Sequence, residues 1–391
     1  FGKRTFFADN WPDRAHNWIP CVDIPGDKAP VDFTVSAPDH YRIISNGVLI
    51  SETAMPGNRK TTHWQETNPL PPKVMVIGAA DFAVEETGSV NGVPVSSWVF
   101  ADARDNGFHD YKPAKDILGF FMDYIGPYAY KKLANVQSAT IFGGMENASC
   151  IFYFENSVTG KGGIESLLAH EIVHQWFGDM ATEKAYPHLW LSEGFATYLT
   201  HIYIEKKYGT DSLENEMRTD RDAIIEFANT HPQPVVDSIS PTMSLLNANS
   251  YQKGGWILHM LRNETGDSAF HRIVRTYYDC YKGKNAETRD LQAVAEEISG
   301  MKLDSFFRQW LFRPGMPELK MDLTYMPRLK RYRLTVTQSQ TGEPFRFPLE
   351  FRVTSTKNKI IPIRMNISKR LESILLPAGV KPAVVAGDPH A

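Results

Sequence analysis

Two histidines and an acid stand inside a mainly apolar segment, HEIVHQWFGD, which runs from His170 to Asp179. Residues four apart on a helix lie about 40° round from each other, so His170 and His174 project from one face and could bind one metal ion. Glu171 points about 100° away from His170 and is free to act as a base. This spacing predicts two ligands of a catalytic zinc site and a separate general base.

A catalytic zinc ion needs a third protein ligand besides an open position for water. The segment LWLSEGFATYLT supplies a candidate, Glu193, at the start of another helical pattern. Two neutral imidazoles and one carboxylate would leave the ion with a net charge near +1, so it would remain a strong Lewis acid. The plainer alternative for the histidines is a buried helix in which hydrogen bonds satisfy them, and the position of Glu193 argues against it.

Two further motifs could contact a substrate. GGMEN, from Gly143 to Asn147, follows a β-like run; its paired glycines would let a backbone approach closely, and Glu146 offers a carboxylate for an amine. YQKGG begins a helical pattern at Tyr251, whose phenol could donate a hydrogen bond to an oxyanion. Taken alone, GGMEN also fits a glycine turn with a solvated glutamate, and YQKGG fits an ordinary helix start.

Composition excludes several other classes of protein. The 391 residues are 42% hydrophobic and 12% aromatic, which suffices for sizeable cores in two or three domains. The net charge of -3 gives no electrostatic case for nucleic acid as a partner. The apolar runs are too short to cross a bilayer, so no membrane-spanning segment is predicted, and the compartment is left open. Cys21, Cys150 and Cys280 lack CxxC spacing and are expected to serve in packing.

The chain divides into three regions with different sequence patterns, and these regions must position the candidate residues. Short β-rich runs punctuated by Pro, Gly and Asn predict an antiparallel β domain over residues 1–100, incomplete at its start. Helical patterns dominate residues 101–317, the predicted catalytic domain. Alternating segments return over residues 318–391 and predict a small β-sandwich. The fold class expected is therefore α+β and multidomain.

GGMEN, HEIVH with Glu193, and YQKG occur in an order and spacing that resemble the zinc aminopeptidases of the family that includes membrane alanyl aminopeptidase and leukotriene hydrolase. The likeness extends upstream to RAHNWIPCVDIPGDKAPVDFTVSAP and downstream to FFRQWLFRPGMPEL. The resemblance implies a saddle-like β domain, a thermolysin-like α/β zinc-peptidase domain and a β-sandwich. Members usually continue into a large helical domain, so the cavity is expected to be more open here, or sequence to be missing.

The resemblance also implies a role for each matching residue. It implies one Zn²⁺ per chain and peptides as substrates. The positions that match the family's zinc site are His170, His174 and Glu193 as ligands, with Glu171 as general base and Tyr251 as oxyanion donor. The positions that match its substrate-binding residues are Glu146 as anchor of the α-amino group, and Gly143, Gly144 and Asn147. Family members have additional polar residues that assist the amine anchor. Asp9 and Asn10 could replace them, but a surface turn is the preferred interpretation.

The function predicted is zinc-dependent hydrolysis of amino-terminal residues from peptides. Zinc-activated water, deprotonated by Glu171, would attack the scissile carbonyl, with Tyr251 stabilising the oxyanion. Three alternatives stay open at this point. The same site could act on an epoxide or another small molecule, it could serve an endopeptidase, or the chain could be a binding module with an inactive site.

Overall fold

The computed structural model describes residues 5–387, which form two compact units. One unit contains the described residues up to Leu213 together with Val236–Lys302. The other contains Glu214–Val235 and the described residues from Leu303 onward. All of the candidate site residues belong to the first unit.

The first unit begins with antiparallel strands. They are β1 Phe6–Phe7, β2 Ala29–Pro38, β3 Arg42–Ser45, β4 Val48–Met55, β5 Arg59–Leu70, β6 Ile77–Ala80, β7 Phe82–Val90 and β8 Val93–Phe100. Strands β1, β6 and β3 form one three-stranded sheet, and β2, β5 and β4 form another. Alternate residues of β5, among them Thr62, Trp64 and Glu66, are buried. This alternation is typical of a strand with one face packed on a core.

A mixed five-stranded sheet follows, with the order β10-β11-β9-β8-β7. Its later strands are β9 Leu133–Ser138, β10 Gly144–Met145 and β11 Cys150–Phe154. β9 runs parallel to both β8 and β11, whereas β10 pairs antiparallel with β11 at the edge of the sheet. The domain boundary predicted at residue 100 falls between β8 and its partner β9, and the predicted boundaries stay predictions.

Helices dominate the middle of the chain, as the periodicity predicted. They are α1 Arg104–Tyr111, α2 Ala114–Tyr124, α3 Glu165–Val173, α4 Trp190–Tyr208, α5 Thr210–Thr230, α6 Gly254–Thr265, α7 Asp267–Tyr281, α8 Thr288–Ser299 and α9 Asp304–Leu311. Two short strands in the same region, β12 Ala181–Glu183 and β13 Lys284–Ala286, pair in parallel. Within residues 5–387, no helix is long and apolar enough to cross a membrane.

Helices α3 and α4 carry the residues of the HEIVH and LSEGF motifs. α4 is buried from Trp190 to Ile204, and the buried residues include polar ones such as Thr197 and His201. α3 is shorter than the apolar segment that predicted it: the helix ends at Val173, and His174 caps it in helical geometry. His170 and His174 therefore still project from the same side.

The second unit contains the predicted β-sandwich. Its strands are β14 Leu319–Met326, β15 Arg331–Gln338, β16 Phe347–Ser355, β17 Ile360–Ile367, β18 Leu371–Leu375 and β19 Pro382–Gly387. The two sheets have the orders β14-β15-β18 and β17-β16-β19. Their core consists of apolar side chains from both sheets, namely Leu334, Val336, Leu349, Phe351, Val353, Met365, Ile367 and Leu376. The α+β, multidomain fold class is confirmed.

Two expectations from the sequence were wrong. Asn10 does not lie in a surface turn but is fully buried, because its amide donates to the carbonyls of Pro72 at 3.0 Å and Met75 at 2.5 Å. Its carbonyl oxygen accepts a hydrogen bond from Trp18 at 2.7 Å. Among the cysteines, all of them free, only Cys150 is buried; Cys280 is exposed and has no packing role.

Candidate metal centre and cleft

Three atoms that can bind a metal ion converge where α3 meets the first turn of α4. The Nε2 atoms of His170 and His174 lie 3.2 Å apart. Oε2 of Glu193 lies 3.5 Å from the first and 3.2 Å from the second. The structure thus brings together the three residues predicted as ligands, although Glu193 is remote from the histidines in sequence.

The hydrogen bonds of His174 fix its tautomer. Nδ1 lies 3.0 Å from the carbonyl oxygen of Phe177, which can only accept, so Nδ1 carries the proton. Ser192 Oγ lies 3.2 Å from the same nitrogen. Nε2 therefore points towards His170 and Glu193. A histidine that ligates a metal is typically oriented in this way through its other ring nitrogen.

The electrostatics of the cluster favour a bound cation. Burial disfavours a charged imidazole, but the Glu193 carboxylate raises the pKa of His174 to about 10. Burial alone would also raise the pKa of Glu193, yet the two histidines hold it well below its usual range. The cluster therefore attracts positive charge. Two imidazole nitrogens and one carboxylate oxygen are a donor set that suits zinc.

Glu171 lies beside this cluster and lines the cleft, with only 5% of its surface exposed. Burial raises the pKa of its carboxyl well above the usual range. A carboxyl group of raised pKa can take up a proton near neutral pH and release it again, which is what a general base and acid must do. The backbone of Gly144 lies against this side chain: a Cβ at Gly144 would be 2.2 Å from Oε1 of Glu171.

Tyr251 packs against the imidazole ring of His170. It belongs to a π-helical turn, Asn249–Lys253, that leads directly into α6. Its ring is stacked on that of His170, with 5.9 Å between the centroids and 12° between the planes. Burial raises the pKa of the phenol well above its usual range, and the nearby Glu193 carboxylate adds to this effect. The hydroxyl therefore stays protonated and can donate a hydrogen bond.

The GGMEN motif forms one wall of the cleft. Glu146 is 5% exposed, and its backbone carbonyl accepts a 2.6 Å hydrogen bond from the Gln175 amide, which ties the motif to the turn after α3. Gly144 and Glu146 line the cleft, whereas Gly143 and Asn147 are not part of its lining. Asn147 is fully buried, and its amide lies 3.4 Å from the carbonyl of Met145.

The cleft has a volume of about 280 Å³, solvent space included. Besides the residues already described, its walls contain four apolar side chains that the sequence analysis did not select as site residues: Trp11, Phe142, Met145 and Leu246. Phe142 and Met145 flank the two glycines of GGMEN and could have been found from that motif. Trp11 and Leu246 come from distant segments, and no local signal points to them.

Comparison with known proteins gives a consistent result. The peptidase family M1 domain matches residues 110–310, and the peptidase M1 N-terminal domain matches residues 2–72. Similar proteins include aminopeptidase M1-C of Oryza sativa subsp. japonica, 30% identical over 331 residues that make up 79% of this chain and 37% of that protein. Probable aminopeptidase 2 of Sulfurisphaera tokodaii is 28% identical over 388 residues, 94% of this chain and 48% of that protein.

A solved structure shares the fold. Legionella pneumophila aminopeptidase A, in complex with aspartic acid, is similar with a TM-score of 0.82 and 20% sequence identity, over 95% of this chain and 45% of that one. Glutamyl aminopeptidase of Bos taurus is 27% identical over 339 residues, 82% of this chain and 35% of that protein. The chain thus spans less than half the length of these relatives.

Proposed function

The chain belongs to peptidase family M1, and from this membership we propose that it is a zinc aminopeptidase that removes single residues from the amino termini of peptides. One observation carries the proposal: the convergence of His170, His174 and Glu193 in a single cluster beside a cleft. Two residues able to move protons or donate hydrogen bonds, Glu171 and Tyr251, line the same cleft.

The metal proposed is one zinc ion per chain. His170 and His174 would bind it through their Nε2 atoms, and Glu193 through its carboxylate. When bound, zinc supplies a Lewis acid that activates water and polarises the scissile carbonyl. The contact between His174 Nδ1 and the Phe177 carbonyl supports this assignment, because it leaves Nε2 available for the ion.

Glu171 is proposed as the group that moves the proton. Its buried carboxylate would accept a proton from the attacking water and then deliver it to the leaving amine. The raised pKa of Glu171 suits the second step, since a carboxyl of ordinary pKa would hold that proton too weakly. Tyr251 would donate a hydrogen bond to the oxygen of the carbonyl as negative charge develops there.

Glu146 is proposed to select peptides with a free amino terminus. An α-amino group has a pKa of about 7.7–8.0 and is largely protonated at neutral pH, so a carboxylate at a fixed place in the cleft can bind it. Such a charge-assisted hydrogen bond would place the first peptide bond at the reacting groups. Gly144, on the edge strand β10 where an extended chain can pair, would offer backbone groups to the peptide, and Gly143 directly precedes it.

The substrates proposed are peptides with an apolar first residue. Trp11, Phe142, Met145 and Leu246 give the cleft its apolar walls, and its lining contains no lysine or arginine. An acidic first side chain would lie near the carboxylate of Glu146, with no lysine or arginine in the lining to balance its charge. The proposal therefore differs from the acidic specificity that the name of the similar glutamyl aminopeptidase indicates.

A screen of aminoacyl arylamides tests the proposal. The purified chain is assayed with free and with N-acetylated substrates, before and after treatment with a chelator and after zinc is restored. Hydrolysis of free substrates alone, lost with the metal and regained with zinc, is the expected result. Equal hydrolysis of acetylated substrates would favour an endopeptidase, and activity that persists without metal would refute the zinc mechanism.

A further inference from the structure

A buried lysine lies behind Glu146, on the side away from the solvent. Lys73 belongs to the short turn Pro72–Val74 and is 1% exposed. Its Nζ is 2.6 Å from Oε1 of Glu183, at the end of β12, and 4.0 Å from Oε1 of Glu146. One buried ammonium therefore lies between two buried carboxylates, only one of which faces the cleft.

The charges of these three groups do not balance by themselves. One cation and two carboxylates leave one negative charge, and a buried charge without a partner is costly. Among the described residues, Oε1 of Glu146 and Oε2 of Glu183 accept no hydrogen bond. A cation in the cleft beside Glu146 would lower this cost, because Glu146 is the carboxylate of the two that lines the cleft.

Lys73 is held in its charged form. Burial disfavours its ammonium, but Glu183 and then Glu146 raise the pKa of Lys73 above its ordinary value. The direct partner is Glu183, because only that contact is within hydrogen-bonding distance. Lys73 thus attracts Glu146 at longer range without neutralising it.

We propose that Lys73 and Glu183 form a positioning pair for Glu146, which turns its carboxylate towards the amino group of the substrate. Lys73 would fix the orientation of Glu146 by attraction to Oε1. Glu183 would keep Lys73 from pairing with Glu146 outright, so that the charge of Glu146 remains available to the substrate's ammonium. This inference rests on the proposed function, because it assigns a purpose to the amine-binding carboxylate.

A double-mutant cycle separates positioning from mere structural support. The pair variant, Lys73→Met/Glu183→Gln, removes both charges together, so that neither Lys73 nor Glu183 is left as a buried charge without its direct partner. It is made in the wild-type chain and in Glu146→Ala, and kcat and KM are measured for a free aminoacyl arylamide. Zinc content and Tm are measured for all four proteins.

Positioning predicts an effect that depends on Glu146. Glu146→Ala should lower kcat/KM by roughly 10–150-fold, the value of a charge-assisted hydrogen bond. In the wild-type background, the pair variant should lower kcat/KM about tenfold, mainly through KM, with zinc content unchanged. In the Glu146→Ala background, the same pair variant should change kcat/KM less than twofold, because the group that it positions is gone.

Lys28→Met is the matched control. The Lys28 ammonium donates to three backbone carbonyls, of Asp179, Met180 and Lys284, at 3.2, 2.8 and 3.0 Å, and none of the carboxylates within residues 5–387 accepts a hydrogen bond from it. This variant should lose stability but keep the KM of the wild type. An equal rise in KM in Lys28→Met would overturn the inference, because loss of any lysine near β12 would then suffice.

Two other outcomes also overturn it, and they are distinguishable. If the pair variant lowers kcat/KM equally with and without Glu146, the Lys73–Glu183 pair only holds the turn to β12, and the proposed function stands. If the wild type fails to hydrolyse free aminoacyl arylamides, or Glu146→Ala costs nothing, the proposed function fails and the inference fails with it.

Discussion

Gly194 and Gly254 bring the backbones of α4 and α6 into direct contact. A Cβ at Gly194 would lie 2.8 Å from the carbonyl carbon of Gly254 and 2.9 Å from its Cα, distances that real Cβ atoms essentially never show. Gly194 follows Glu193, and Gly254 follows the π-helical turn that carries Tyr251. This close approach therefore sets the distance between a proposed zinc ligand and the proposed oxyanion donor.

Gly194→Ala should damage the site without unfolding the chain. The added methyl group meets backbone, which cannot move aside as a flexible side chain can, so α6 must shift. We expect kcat to fall at least about tenfold, because a displacement of even about 1 Å in a catalytic group is costly. Steady-state kinetics and circular dichroism measure the two effects.

Gly163→Ala is the control for this substitution, since nothing lies within 4 Å of a Cβ at Gly163. It should leave kcat and stability close to those of the wild type. If Gly194→Ala kept normal kcat, the contact between the two glycines would not determine the position of Tyr251.

Removal of either type of proposed ligand should remove the zinc. Glu193→Gln deletes the anionic ligand and His170→Asn deletes an imidazole, so each should weaken zinc binding more than about 100-fold, beyond the loss typical of outer-shell substitutions. Metal analysis after dialysis against a weak chelator is the measurement. His259→Asn is the control, because this half-buried histidine contacts the hydroxyl of Tyr198 at 2.9 Å instead of the cluster. One zinc per chain in Glu193→Gln would refute the site.

Zinc removal should also lower the Tm of the wild type, because an ion that binds the folded chain stabilises it. The free energy of unfolding should fall by about 4 kcal/mol when zinc is removed from a chain that was held at a free zinc concentration of about 1,000 times the Kd. Calorimetry with and without chelator measures it. The same treatment should hardly change the Tm of Glu193→Gln, which has little bound ion to lose.

The Tyr251 phenol should act on the rate and not on binding. Tyr251→Phe keeps the ring stacked on His170 and removes only the donor, so kcat should fall about 10²–10³-fold while KM stays within a few fold. Tyr277→Phe, at another buried tyrosine, is the control and should retain kcat. A normal kcat in Tyr251→Phe would assign this residue to packing.

The arrangement of the site was predictable only as far as local spacing reaches. The i,i+4 relation places His170 and His174 on one side of α3 in any helix, and the motif GGMEN marked the cleft wall that contains Glu146. The fold class followed from period-2 and helical patterns in the three regions. The individual roles of these residues stay predictions until variants are measured.

Residues that act through long-range contacts were not predictable. Lys73 lies in an unremarkable turn, and its significance appears only when β12 brings Glu183 to within 2.6 Å. Likewise, no pattern in the sequence shows that Gly194 meets Gly254 or that Trp11 lines the cleft. Tertiary packing determines all three relationships. Asn10 was misjudged for the same reason, because asparagine favours turns unless distant backbone groups bind its side chain.

The apolar walls of the cleft predict the preferred first residue of the substrate. Methionine, glutamine and glutamate are unbranched and of similar length, so their arylamides differ mainly in polarity and charge. Burial of a methionine side chain contributes about 1.5–3 kcal/mol, so kcat/KM should be roughly 10–150-fold higher for Met than for Gln. For Glu, kcat/KM should be lower again by about tenfold or more, because the lining contains no lysine or arginine to balance the charge of its side chain.

The variant Leu246→Lys would test this explanation by adding a cation to the lining. Arg14 lies with its guanidinium 5.8 Å above the Phe142 ring, but Asp9 already pairs with it at 2.8 Å, so it is poorly placed to accept an acidic substrate. A lysine at position 246 would stand in the lining itself, where its ammonium could pair with a glutamate side chain of the substrate. We therefore expect Leu246→Lys to raise kcat/KM for Glu relative to Gln and to lower it for Met. If the wild type already hydrolysed the Glu substrate as fast as the Met substrate, the apolar walls would not select the first residue, and a cation outside the cleft lining would have to do so.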